Sequence, residues 1–329
     1  MTSTQTRPLV GTVIGDPAGI GPEVIAKAWC SGEVHKSSRP VLIGSVEVMQ
    51  KVVQDAGLKA QVRAIKSVDE ISDSAEMIEI LDSGALSLSD FTVGQDNASC
   101  GRASAVWLDE ADRLARDGVL AATVMGPISS VSMKMAGVLD KVIKVTPGES
   151  YLFLVSGPLR VAHVTDHMPL RDVCALLSAE LISSALHTLD DRLRAWGIAE
   201  PRIGVAGLNP HATGDEEVNA IAPGVQQAVA NGVNAEGPVS PDAIFRQCIE
   251  GRYDAILAMY HDQGHIAIKT WGFSGNSAVI IGPPYVHLSV AHGTAYDIVG
   301  KGVADHRMIL SAMTTAGSLA AGAGFPKEN

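Results

Sequence analysis

Short apolar runs of strand type recur along this chain, and several of them close on a polar turn that carries a histidine. Residues 159–164 lead into Thr165-Asp166-His167-Met168-Pro169, residues 203–208 into Asn209-Pro210-His211, and residues 255–260 into His261-Asp262-Gln263-Gly264. Apolar runs of this length, bounded by turn residues and alternating with helix-like stretches, commit the chain to the α/β class. In open α/β sheets, ligands and chemistry sit just past the carboxyl ends of strands. Three imidazoles so placed, His167, His211 and His261, can converge on one divalent cation, for which zinc is the best match. Asp262, beside His261, is placed to orient it.

The rest of the chain follows the same alternation. Residues 9–14 read as a strand, 22–30 as a helix with Pro22 in its first turn, 41–44 as a strand, 46–56 and 109–116 as helical, and 121–125 as a strand ending at Gly126-Pro127. Residues 175–196 read as one long helical stretch, 220–230 as another helix, and 278–282 as a strand entering Pro283-Pro284. The Ala/Gly-rich tail from 316 onward is expected to fray. No internal repeat or linker-like block interrupts the pattern. We therefore expect two lobes: residues 1–125 with 283–329 on the nucleotide side, and 126–282 on the metal and substrate side.

Composition removes several classes of function. The 329 residues carry a net charge of −11, and no run of Lys or Arg exceeds two. Nucleic acid and anionic membrane are therefore poor partners. The four cysteines, Cys30, Cys100, Cys174 and Cys248, form no CxxC pair, which fits a reducing compartment rather than a disulfide framework. Residues 1–8 lack an apolar signal core and no stretch of about 18 apolar residues occurs, so a cytoplasmic protein is expected.

Two glycine-rich segments stay open between packing and binding. Gly15-Asp16-Pro17-Ala18-Gly19-Ile20-Gly21-Pro22-Glu23 is either a tight strand-to-helix turn or a phosphate-approaching turn with Asp16 in the cleft. His292-Gly293-Thr294-Ala295-Tyr296-Asp297, continuing to Gly302, is either an ordinary loop or a nucleotide contact. In the second reading small residues admit the backbone and Asp297 accepts ribose hydroxyls.

Taken together, the Gly15–Glu23 segment, Pro169-Leu170-Arg171-Asp172, Gly207-Leu208-Asn209-Pro210-His211-Ala212, Ala258-Met259-Tyr260-His261-Asp262-Gln263-Gly264 and His292-Gly293-Thr294-Ala295 resemble the 4-hydroxythreonine-4-phosphate dehydrogenase family of vitamin B6 biosynthesis, over nearly the whole chain. The resemblance implies a two-lobed α/β/α sandwich of the isocitrate/isopropylmalate dehydrogenase type. It also implies a homodimer with the active site at the subunit interface, NAD or NADP as oxidant, and a divalent metal: zinc, with magnesium, manganese and cobalt as alternatives. His167, His211 and His261 match the metal ligands, one of them donated across the interface. Residues 292–295 match the nucleotide segment, beside which Asp297 lies, and Lys269 matches a substrate-binding lysine; Asp242 and Asp262 are candidate carboxylates beside the metal. The implied reaction is oxidation of a secondary alcohol beside a carboxylate, followed by loss of carbon dioxide.

The chain also departs from that pattern. It has no Gly-His-Thr-Glu element ahead of the first metal histidine, and Ser129-Ser130 stand where a basic residue is common. Ala278 replaces a substrate asparagine, and His287 an arginine. An unprotonated histidine cannot replace a bidentate guanidinium on phosphate. The departures therefore favour a non-phosphorylated substrate, as in the branch that oxidises a terephthalate dihydrodiol; a third branch acts on phosphorylated four-carbon sugar acids. A metal-dependent hydrolase or lyase without nicotinamide, and an inactive binding member, are the competing classes.

Overall fold

The computed structural model describes residues 7–142, 145–272, 277–290 and 292–326. Its strands in chain order are β1 Leu9–Val13, β2 Arg39–Ile43, β3 Gln61–Ile65, β4 Met77–Leu81, β5 Ala122–Met125, β6 Tyr151–Ser156, β7 Leu159–His163, β8 Ile203–Ala206, β9 Ala235–Val239, β10 Ala255–Ala258, β11 Ser277–Ile281 and β12 Val286–Val290. The chain divides into two compact units, 1–143 with 284–321 and 144–283 with 322–329.

In the first unit the strand order is β3-β4-β2-β1-β5-β12, and every neighbouring pair is parallel. A parallel strand covered on both faces is buried almost throughout and nearly all apolar, as β1 is apart from Thr12. The chain leaves β1 toward β2 on one side, while β5 lies on the other, so the order of connection reverses at β1. The crevice beyond the carboxyl ends at such a reversal is the usual ligand position. Here it is bordered by the Gly15–Glu23 turn and by Gly126-Pro127, with the Asp16 amide donating to the Pro127 carbonyl at 2.8 Å.

Residues 126–142, expected above in the second lobe, pack within the first unit. The helix Ser130–Met135 lies against the helix Ala98–Arg116 so closely that a Cβ on Gly101 would stand 2.2 Å from the Ser132 carbonyl. That approach requires glycine.

The second unit has the order β11-β6-β7-β10-β8-β9. The pairs β11/β6 and β6/β7 are antiparallel; β7/β10, β10/β8 and β8/β9 are parallel. Three histidine-bearing turns thus leave the same edge of three adjacent parallel strands.

Two expectations fail for local reasons. The stretch 175–196 is two helices, Leu170–Leu176 and Ala179–Ala195, bent by 95°. Ser178 adopts extended backbone, and its hydroxyl caps the second helix by accepting from the Leu181 amide at 3.2 Å. A serine offered a cap geometry competes with helix continuation. The tail does not fray through 326: after the helix Arg307–Ala320 it returns to the second unit, where Phe325 packs on Phe153 and Trp196 at 6.1 and 5.8 Å, under the Arg160 guanidinium at 4.6 Å. Buried aromatic area outweighs the poor propensity of its Gly/Ala flank. Among the described residues no single helix is long and apolar enough to cross a membrane.

Candidate active site

Asp166, His167 and His261 form the site's centre: each offers a donor atom, and the three atoms lie within 4.8 Å of one another. The β7 and β10 turns bring them together, with the two imidazole rings 4.6 Å apart. His261 begins the helix His261–Trp271, where the Asp262 carboxylate meets its Nδ1 at 2.7 Å. That contact assigns the Nδ1 proton and leaves the Nε2 lone pair for a metal. The same contact is the main influence that holds the Asp262 carboxyl below its usual range. His167 is far more exposed, its side chain 79% accessible, and its Nδ1 lies 2.9 Å from Asp166 Oδ1. The alignment there is too poor for a hydrogen bond, since that buried oxygen has no hydrogen-bond partner among the described residues. Two imidazoles and an under-satisfied carboxylate suit a divalent cation of the zinc type.

Helical spacing adds to this centre. His261, His265 and Lys269 are spaced by four and share one helix face. The His265 ring stacks on His261 at 3.6 Å and 17°, and its Nδ1 meets the His261 carbonyl at 2.9 Å. Burial, then the neighbouring His261, lowers the His265 imidazole to about 4, so it is a neutral wall. Behind it, His163 is fully buried and lowered to about 3 by desolvation. Lys269, two turns along, is exposed.

His211 does not join this group; the three-residue cluster omits it. Its turn follows β8 and is built around Glu217, 3% exposed, whose Oε1 accepts from the Leu208 and Asn209 amides at 2.7 Å each and whose Oε2 accepts from Asn209 Nδ2 at 2.8 Å. Burial works against the Glu217 carboxylate, yet these bonds hold its pKa below the usual range. Locked in this way, His211 and Ala212 adopt left-handed backbone, φ 56° and 54°. Non-glycine residues so held cost about 1–3 kcal/mol each and gather at functional positions. Asp242 lies close enough for His211 to contribute to its lowered pKa, after the larger effect of the Ser240 hydroxyl at 2.7 Å.

In the first unit, packing accounts for the glycines of the Gly15–Glu23 turn. Gly15 has φ 77°, and a Cβ on Gly19 would lie 2.8 Å from Thr294. A Cβ on Gly21 would meet the Ile14 carbonyl at 2.5 Å. Gly293 differs: a Cβ there would meet no atom within 4 Å, and its backbone φ is not left-handed. The Asp297 carboxylate is exposed and makes no hydrogen bond among the described residues, and His292 folds its Nδ1 onto the Gly293 carbonyl at 2.9 Å. Thr294 and Ala295 are partly buried, the Thr294 carbonyl accepting from the Ile20 amide at 2.9 Å. Asp16 is 1% exposed and turned into the unit.

His287, expected on substrate, is 3% exposed on β12, with its Nδ1 2.7 Å from the Thr123 hydroxyl of β5. Burial lowers it to about 4. It is a neutral core histidine, because its register position faces the interior of the unit. Ala278 is likewise buried on β11. Asp166 as a donor was not among the expected ligands, its adjacency to His167 being the available signal; His265, a near-neighbour imidazole that the sequence ranks below His261, stacks on that ring instead.

A family profile described as pyridoxal phosphate biosynthetic protein PdxA matches residues 36–316. This chain belongs to that family. A PdxA relative from Novosphingobium aromaticivorans, provisionally named a 4-hydroxythreonine-4-phosphate dehydrogenase, is 58% identical over 98% of both chains. Among solved PdxA structures, the 4-hydroxythreonine-4-phosphate dehydrogenase of Klebsiella pneumoniae superposes with a TM-score of 0.85 at 33% identity, covering 95% of this chain and 99% of its own. A terephthalate 1,2-cis-dihydrodiol dehydrogenase from Burkholderia xenovorans LB400 superposes less well, with a TM-score of 0.68 at 28% identity over 92% and 95%. The mixed α/β architecture is thus the one PdxA members share.

Proposed function

We propose that this PdxA-family chain is an NAD(P)-linked, divalent-metal-dependent dehydrogenase of the 4-hydroxythreonine-4-phosphate dehydrogenase type, built on the two-lobed isocitrate/isopropylmalate dehydrogenase plan. It oxidises a secondary alcohol of a hydroxy acid, and loss of carbon dioxide follows. The observation that carries the reading is the Asp166–His167–His261 cluster at the ends of adjacent parallel strands.

His167 and His261 hold the cation, Asp166 adds an oxygen donor, and Asp262 fixes the His261 ring. His211 is held in strained backbone outside the same-chain cluster. This favours its donation to a neighbouring copy's site and thus a homodimer, with Asp242 beside it. Lys269 faces the substrate carboxylate from two turns beyond His261. Gly293 leaves room for close backbone approach of a nucleotide, and Asp297 offers a free carboxylate to a ribose. When bound, the metal supplies a Lewis acid at the alcohol oxygen, and nicotinamide supplies the hydride acceptor.

A second reading concerns the substrate. With His287 neutral and in the core, the cation its position would give a phosphate is missing. This favours a non-phosphorylated hydroxy acid or diol acid. The experiment for the main reading combines metal analysis with nicotinamide absorbance. The wild-type protein should carry one divalent ion per chain and reduce NAD or NADP with a hydroxy acid. Replacing His167, His211 and His261 together by alanine should remove both properties. Full metal retention in that variant would sink the reading.

A further inference from the structure

Beneath the loop that follows β12, three acidic side chains meet in two oxygen–oxygen contacts, each of which needs a proton, so they cannot all be ionised. Tyr296 Oη lies 3.2 Å from Asp16 Oδ2 and 3.1 Å from Asp96 Oδ1. A phenol has one proton and can donate to one of these oxygens only. The other contact needs a proton on the carboxyl itself; otherwise two lone-pair-bearing oxygens face each other.

The remaining bonds say which carboxyl holds it. Asp96 Oδ1 already accepts from the Ser129 hydroxyl, and from the Ser132 hydroxyl at 3.3 Å. Both serine oxygens are in turn occupied, Ser129 accepting from the Ser132 amide and Ser132 from the Asn97 amide, each at 3.0 Å. Asp96 is also exposed, so water supports its charge. Asp16 is 1% exposed, and its other oxygen accepts from the Ala18 amide at 2.8 Å. Its Oδ2 is therefore the oxygen left to carry a proton and donate to Tyr296, which donates on to Asp96. Burial raises the Asp16 carboxyl above its usual range and the Asp96 charge adds to this, while the Ala18 amide and the neighbouring Ser132 and Tyr296 hydroxyls work against it.

The same three segments interlock through their backbones. The Gly94 amide donates to the Ala18 carbonyl at 2.8 Å and the Ile20 amide to the Thr294 carbonyl at 2.9 Å. Gly94 also packs toward the Tyr296 carbonyl and Val299.

We propose that Asp16, Tyr296 and Asp96 form a one-proton latch that fixes residues 292–302 onto the turn after β1. The latch positions the segment assigned above to nucleotide binding, and that functional consequence rests on the proposed reading; the latch itself does not. The sign of its pH dependence follows from the raised carboxyl: the latch is intact below Asp16's ordinary range and is lost as pH rises through its raised value. Facing the cluster are Cys100, whose thiol is pushed up to about 12 by burial and then by Asp16, and Asp90, which acts on Cys100. The Tyr296 phenol is itself pushed up to about 12, chiefly by burial. His292 and Asp297 lie on the loop outside the hydrogen-bonded cluster.

The test needs no nucleotide. Amide hydrogen exchange of residues 292–302 is followed upward from below the ordinary carboxylate range, corrected for intrinsic rates, with β1 amides as the control for global folding. Wild-type protection of the loop should fall about tenfold with rising pH, the scale of one hydrogen bond to a charged group. Tyr296→Phe keeps the ring, removes the hydroxyl and should show the low protection at every pH. Asp16→Asn donates to Tyr296 permanently and should hold the high protection without pH dependence. Equal loop protection in wild type and Tyr296→Phe, or an Asp16→Asn variant as pH-sensitive as wild type, would overturn the latch. NAD affinity is then measured on the same proteins. If exchange behaves as described while NAD affinity ignores all three changes, the latch stands and the nucleotide assignment of the loop fails.

Discussion

Replacing Glu217 by glutamine tests whether a buried carboxylate sets the geometry of the His211 turn. The carboxylate receives three hydrogen bonds, at 2.7, 2.7 and 2.8 Å. A glutamine oxygen can keep the two backbone donors, but its NH₂ then faces Asn209 Nδ2, donor against donor. Flipping Asn209 gives no escape, since its oxygen would turn to the Glu216 carboxylate that its NH₂ now serves at 2.8 Å. The variant thus loses one charge-assisted bond outright and weakens two, together about 2–4 kcal/mol. For a unit of this size that corresponds to a melting temperature lower by about 5–10 °C. With the turn released, His211 and Ala212 relax from φ near 55°, and activity should fall at least tenfold. The pH dependence has a definite sign. A carboxyl whose folded pKa is depressed stabilises above its unfolded value, and this is lost as pH falls through the folded value. Wild type should therefore lose this increment on acidification, and Glu217→Gln should not. Scanning calorimetry with parallel assays decides the matter. A variant melting within 1 °C of wild type with full turnover would refute this account of the turn.

Three further outcomes follow from the site. Asp262→Asn should weaken metal affinity about 10- to 100-fold by loosening the His261 ring, as outer partners of ligating histidines do; chelator competition would show an unchanged affinity if the idea is wrong. Gly293→Val should leave melting unchanged, because its side chain enters open space, while NAD affinity drops; unchanged affinity in a folded protein removes the loop from the nucleotide site. Phosphorylated hydroxy acids, 4-hydroxythreonine 4-phosphate among them, should be turned over with kcat/KM below ~10⁴ M⁻¹s⁻¹, and a value above that in steady-state assays would refute the non-phosphorylated reading.

Much of the architecture was legible because the chain punctuates itself. Asp166 with Pro169, Asn209-Pro210 and Asp262 to Gly264 mark the ends of β7, β8 and β10, and the apolar runs before them have the length of strands. The bend at Leu177-Ser178 was not legible. It hinges on one serine within good helix formers, and only the approach of the Leu181 amide shows that its hydroxyl is used as a cap. Nor could composition reveal that Phe325 would dock, since that depends on Trp196 and Phe153 lying together in space. At the site, spacing showed which histidines follow strands but not which meet. His167 and His261 meet across the neighbouring β7 and β10, whereas His211 follows β8, equally a neighbour of β10, on a turn in left-handed backbone and stays outside the cluster. His287 misled because alignment with an arginine says nothing of how deep a strand position lies; Val286 and Leu288 on either side are buried as well, so neither face of β12 is open at this level.

The docked tail changes how the second unit can be cut from the chain. Residues 144–283 are contiguous, yet the aromatic contact that closes over Phe153, Trp196 and Arg160 comes from the chain's far end, after the whole of the first unit. A fragment ending at 283 would present that aromatic patch to water. During synthesis the patch stays uncovered until residue 325 is free of the ribosome, by which time β12 and the helix Arg307–Ala320 have already been made. The two units are thus interleaved in the order of manufacture: neither can be completed before the other has been almost entirely translated.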